Sequence, residues 1–105
     1  MSLERVIMAL IGLGLSRTDA EVYVYLAKKG PQKVVDLAKA LKYNKQKIYA
    51  ILKHLQTRGL VTKDRTIFSA SPFEETLELL IEREKKQTTH IQENKELFVN
   101  WKKEE

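Results

Sequence analysis

Apolar residues along the first thirty positions recur at helical intervals and are broken by glycines. Leu3, Val6, Ile7 and Leu10 share one face, which predicts a helix from about Leu3 until Gly12 and Gly14 interrupt it. Ser16 stands where an N-cap belongs: its hydroxyl can accept the backbone N–H three residues on, and Asp19 in the first turn suits the positive end of a helix dipole. Ala20, Tyr23, Val24 and Ala27 form the expected buried stripe of this second helix. Gly30 and Pro31 end it, because glycine can take a left-handed position there and proline cannot donate the next backbone bond.

The same spacing appears twice more, in Val34, Leu37, Ala38 and Leu41 and again in Ile48, Ile51, Leu52 and Leu55. Only Lys42, Tyr43 and Asn44 separate the two runs, a connection short enough to hold two helices at a steep angle, with Asn44 placed to cap the second. That is a helix-turn-helix. Gly59 supplies the next stop, and Leu60-Val61-Thr62 and Ile67-Phe68-Ser69 then read as two short strands around Lys63-Asp64-Arg65-Thr66. The expected fold is mainly α with a small β-hairpin wing: a winged helix-turn-helix over residues 1–71, followed by a long C-terminal helix over 72–105.

Pro72 suits the first turn of that last helix, and from Phe73 to about Lys103 no glycine or proline interrupts strong helix formers. Thirty residues make a rod about 45 Å long, which needs a surface to lie on. Leu77, Leu80, Ile91, Phe98 and Trp101 fall on one coiled-coil-like seam, with Glu84, Gln87 and Asn94 as its polar members. The seam is expected to form a homodimer interface; folding back on the first helix of the same chain is the other reading.

Composition sharpens this outline mainly through charge. Residues 39–65 carry eight basic side chains (Lys39, Lys42, Lys45, Lys47, Lys53, Arg58, Lys63 and Arg65) against Asp64 alone, a net charge of +7 where the whole chain has +5. The remainder is net acidic. A positive field concentrated on the second helix of the pair and on the wing suits a polyanion, because neutralising phosphates releases the counterions condensed on nucleic acid. The 105 residues contain no cysteine, and the two histidines, His54 and His90, lie far apart, so disulfides and thiolate or clustered-histidine metal sites are not expected. Neither a long apolar run nor a signal-peptide pattern appears, which reads as a cytoplasmic protein with no membrane partner. Glycine-rich phosphate loops, paired catalytic carboxylates and a nucleophile with a histidine base are all missing, so neither an enzyme nor a cofactor is expected.

The ordered set Leu15-Ser16-Arg17-Thr18-Asp19-Ala20-Glu21-Val22-Tyr23, Val35-Asp36-Leu37-Ala38, Lys47-Ile48-Tyr49-Ala50-Ile51-Leu52-Lys53-His54-Leu55 and Arg58-Gly59-Leu60-Val61 resembles the DNA-binding domain of TrmB-like transcriptional regulators, relatives of the MarR and ArsR groups. The resemblance covers about residues 12–75. It implies an archaeal or bacterial regulator that binds a palindromic operator as a homodimer. Larger members carry a sugar-binding effector domain, and that function is not carried over to this sequence. Lys42 stands at the turn position where such motifs often have glycine, which raises the prospect of a different turn geometry.

With Ile48, Ile51, Leu52 and Leu55 inward, Lys45, Gln46, Tyr49 and Lys53 project from other sides of the recognition helix, its early residues entering the major groove of double-stranded DNA. Gln46 suits a bidentate bond to adenine, and Lys45 or Lys47 a guanine edge or a phosphate. Tyr49 suits a phosphate or a thymine methyl, or else is a core aromatic. Lys63 and Arg65 flank the expected wing tip, on the backbone or in the minor groove. Asn44 is first an N-cap, its amide also able to meet a phosphate; Arg17 and Lys39 are secondary phosphate candidates. His54 and His90 read as structural. A rigid adaptor for protein partners, built on the same fold, is the alternative function.

Overall fold

Each capping residue read from the sequence starts its helix in the computed structural model, which describes residues 3–86. Helix α1 (Leu3–Gly12) is followed by α2 (Arg17–Lys29), where the Ser16 hydroxyl accepts the Asp19 backbone N–H at 3.1 Å. Strand β1 (Gln32–Lys33) leads directly into α3 (Val34–Leu41), and α4 (Lys45–Thr57) begins at Asn44, whose side-chain oxygen accepts the Lys47 N–H at 2.7 Å. Such a cap contributes about 1 kcal/mol. Strands β2 (Val61–Asp64) and β3 (Ile67–Ala70) form the wing, and α5 occupies residues 73–86.

Two backbone positions differ from expectation in their details. Gly30 ends α2 with φ 89° and ψ −173°, an extended conformation at positive φ that is open only to glycine, rather than the left-handed helical one. Lys42 adopts the left-handed conformation itself, at φ 59° and ψ 37°. The turn therefore keeps its usual shape and the lysine bears a strain of about 1–2 kcal/mol.

Helix α2 is the centre of the core. Val22, Tyr23, Val24 and Leu26 are buried, whereas Ala27, expected in the stripe, is exposed. The stripe shifts because α2 is covered on several sides, by α1, by α4 and by β3. Ile7 and Leu10 of α1, Leu37 of α3, and Ile48, Leu52 and Leu55 of α4 close around it, with Leu60, Val61 and Phe68 from the wing. Burial of side chains of this size stabilises the fold by roughly 1.5–3 kcal/mol each before chain entropy is counted.

The sheet has three strands in the order β1-β3-β2, all antiparallel. Its third strand, β1, was not expected. The hairpin is also tighter than the four-residue loop read from the sequence: Lys63 pairs with Phe68 and Asp64 with Ile67, leaving Arg65 and Thr66 as the turn, with Arg65 at φ 59°.

The last helix starts inside this same core. The Tyr23 hydroxyl donates to the Ser71 carbonyl at 2.8 Å, Thr76 is buried, Leu80 is 2% exposed and Leu77 packs half-buried against the cluster. Burial pushes the Tyr23 phenol up, the Thr76 hydroxyl acting the other way. Leu77 and Leu80, expected on an intersubunit seam, are thus taken up by their own chain, because the helix sets out from a residue tied to α2. Glu84 is exposed, and Gln87, His90, Ile91, Asn94, Phe98 and Trp101 lie outside the described residues. Among the described residues no helix is long and apolar enough to cross a membrane.

Candidate nucleic-acid interface

Helix α4 buries Ile48, Ile51, Leu52 and Leu55 and leaves Lys45, Gln46, Lys47, Tyr49 and Lys53 exposed. At 100° per residue, Gln46, Tyr49 and Lys53 share the outward face, and Lys47 and His54 lie on another side. Tyr49 is 56% exposed, so it is not a core aromatic. Asn44 is exposed, and its side-chain oxygen is engaged in capping.

The first turn of α4 departs from that of its neighbours. Glu4 in α1, Asp19 in α2 and Asp36 in α3 each place a carboxylate at the positive end of the dipole, whereas α4 has no acid there and carries Lys45 and Lys47. Cations at this end oppose the dipole by about 0.3–1 kcal/mol each, and an arriving anion would reverse the sign. None of Lys45, Lys47, Lys53, Lys63 or Arg65 makes an ion pair among the described residues.

Lys47 is steered by its surroundings. Its ammonium lies 4.4 Å from the centroid of the Tyr43 ring, a cation–π contact. The Tyr43 hydroxyl in turn donates to Glu21 at 3.0 Å, and burial, then the Glu21 carboxylate, push that phenol up. Glu21 also binds Arg17 at 3.1 Å, and Arg17 donates to both oxygens of Glu4 at 2.9 and 3.1 Å. The hydrogen bond to Glu4 leads the causes that raise the arginine further above its ordinary range. Arg17, a secondary phosphate candidate in the sequence, is therefore occupied by two carboxylates. Lys39 is exposed on α3.

His54 holds the other end of α4 to α2. Its Nδ1 lies 2.8 Å from Oδ2 of the buried Asp19, and the imidazole is half exposed. A structural reading of His54 fits this contact. Among the described residues no cluster of three or more His, Cys, Asp or Glu side chains could hold a metal ion.

The wing and the β1–α3 junction border an open groove of about 260 Å³, to which α4 contributes Tyr49. It gathers Tyr49, Lys63 and Arg65 from the expected set, together with Lys33, Val35 and Thr66, which sequence reasoning missed. A two-residue strand has no periodicity to betray it, so nothing local marked Lys33. Lys63 lies within β2 instead of at the wing tip, its ammonium 5.5 Å from the centroid of the Phe68 ring. Arg65 occupies the tip. Lys45, Gln46, Lys47 and Lys53 are not among the groove's lining residues; they belong to the exposed surface of α4 beside it.

Residues 10–74 match the family model described as sugar-specific transcriptional regulator TrmB. An uncharacterized protein of Methanocaldococcus jannaschii is 26% identical over 76 residues, 64% of this chain and 58% of that protein. The chain therefore spans less than two thirds of that curated relative. Among solved structures, TrmBL2, an archaeal chromatin protein described as showing a novel mode of DNA binding, matches with a TM-score of 0.79 at 21% identity over 91% of this chain and 38% of its own. A MarR-like transcriptional regulator from Thermotoga maritima matches with a TM-score of 0.55 at 18% identity, over 89% of this chain and 82% of its own. At these identities the structures establish a shared fold.

Proposed function

Since the chain belongs to the TrmB family and carries its winged-helix DNA-binding domain, we propose that it is a sequence-specific regulator of transcription that grips double-stranded DNA as a homodimer, with α4 in the major groove and the wing on the adjacent backbone or minor groove. The observation that carries this reading is the first turn of α4, where two lysines without an ion pair among the described residues stand at the positive end of the dipole and three neighbouring helices have an acid. Such an arrangement is costly alone and favourable only against an anion. Gln46 and Lys53 face outward from the same helix as base or phosphate contacts, Tyr49 stands between them at the edge of the groove, and Lys63 and Arg65 extend the cationic surface along the wing.

Two-fold symmetry would set two recognition helices about one DNA turn apart, near 34 Å. Leu77 and Leu80 are removed from the expected pairing surface by their packing, so pairing is assigned to the seam residues Ile91, Phe98 and Trp101. The relatives support DNA as the partner: TrmBL2 is described by its DNA binding, and the Thermotoga protein as a transcriptional regulator.

A mobility-shift titration against salt tests the reading. Six to ten phosphate contacts per dimer predict a loss of affinity on the order of a thousandfold or more between 50 and 200 mM salt. A flat response, or failure to bind any duplex while a protein partner is retained, would favour the adaptor function instead.

A further inference from the structure

The groove between the wing and the β1–α3 junction, flanked by Tyr49 of α4, is amphipathic. Lys33, Lys63 and Arg65 line it with no carboxylate beside them among the described residues, and its sides include Val35 and Tyr49, 40% and 56% exposed. Resting on the duplex-binding reading above, we propose that this groove seats one sugar–phosphate strand of the duplex, with Lys33 as a phosphate contact and Val35 and Tyr49 lying against deoxyribose.

The geometry of a duplex supplies the first reason. One backbone strand is the ridge between a major groove and the neighbouring minor groove. A body that sends a helix into one and a hairpin toward the other must straddle that ridge, so the ridge passes between Tyr49 of α4 and the wing, along the groove that the β1–α3 junction also lines. Chemistry supplies the second. Deoxyribose carbons alternate with anionic phosphates along the strand, and the groove offers apolar sides beside three cations. A base edge would ask for an ordered set of neutral donors and acceptors, whereas only the hydroxyls of Thr66 and Tyr49 provide any among the lining side chains.

Lys33 is free for the task. It precedes α3 as a cap through its backbone, makes no side-chain cap bond and has no ion pair among the described residues. Strand β1 sets it opposite Ile67 on β3, beside the turn that carries Arg65. Without that pairing, the residue would have no reason to stand near the wing.

The test measures the affinity of the full chain for a mixed-sequence duplex about three helical turns long, across salt, for the wild type, Lys33→Ala, Lys33→Arg and Lys28→Ala. One lost phosphate contact should lower affinity about eightfold per protomer at 0.1 M salt and reduce the slope of log affinity against log salt by about 0.9. Lys33→Ala is expected to do both on every duplex sequence, Lys33→Arg to restore both, and Lys28→Ala, at the end of α2, to change neither. Thermal melts should coincide, since both lysines are exposed. If the wild type binds duplex with a steep slope and Lys33→Ala matches it, the seat is refuted and the duplex reading stands. A loss confined to particular base sequences, or an equal loss in Lys28→Ala, refutes the seat as well. If the wild type binds no duplex, both readings fall together.

Discussion

The α1–α2 surface and the α4–wing surface are both rich in charge, and they treat it in opposite ways. On the first, Arg17 is held by Glu4 and Glu21, Tyr43 bonds to Glu21, and Asp19 meets His54, so donors and acceptors close on one another. On the second, among the described residues, Lys45, Lys53, Lys63 and Arg65 have no carboxylate partner, and Lys47 and Lys63 rest on aromatic rings. Paired charges orient helices. Unpaired cations store an unfavourable field that a polyanion relieves, so the contrast separates the part of the molecule that holds its shape from the part that meets a partner.

Reversing charge at the start of α4 should break the contrast most severely. Lys45→Glu with Lys47→Glu gives α4 the acidic first turn of its neighbours, which predicts duplex affinity lower on the order of a hundredfold or more at 0.1 M salt. The same change should raise thermal stability by about 0.5–1 kcal/mol through the dipole. Mobility shifts and thermal melts on one preparation check both. Equal loss of binding and of stability would show that the lysines serve the fold.

A change on the other side should do the converse. Tyr23→Phe removes the hydroxyl that donates to Ser71 and leaves that carbonyl without it, predicting a loss of about 1–2 kcal/mol in denaturant unfolding with an unchanged salt slope for DNA. Because the folded phenol titrates above its ordinary value near 10.0, the unfolded chain loses its proton first. Stability from this group is thus complete below about pH 10 and falls as pH rises toward the folded value. The phenylalanine variant should lack that contribution to the alkaline decline.

The smallest expected effect lies in the turn between α3 and α4. Lys42→Gly removes the strain of a left-handed lysine but adds the entropy of glycine, for a net gain of about 0.5–1 kcal/mol. Lys42 is exposed and no groove contact is assigned to it, so affinity should change little. A loss of stability in thermal melts would mean that the lysine side chain contributes more than its backbone costs.

What could be read from the sequence was what is decided locally. Ser16 and Asn44 were legible as caps because each bonds a backbone N–H three residues away, and Ile48, Ile51, Leu52 and Leu55 because one helix face repeats every turn. The outward position of Gln46 and Lys53 followed from the same periodicity. Features set by distant partners were hidden. Gln32 and Lys33 are a strand only because Phe68 and Ile67 come to meet them, so the third basic residue of the groove had no local mark. Ala27 sits on an α2 face left uncovered while Val22 and Leu26 turn inward, a choice made by α1, α4 and β3 together. Leu80 has the spacing of a seam residue, yet packing into its own core takes precedence over pairing with a second copy.

Amide chemical shifts followed by NMR as a duplex is added would test the division between the two surfaces directly. The cap and first turns of α4, residues 44–53, and residues 62–67 of the wing should shift together and in a salt-dependent manner, and Lys33 and Val35 with them, while the outer face of α1 around Met8 stays still. Shifts concentrated on α1 and the Arg17 network, with α4 unmoved, would contradict the account.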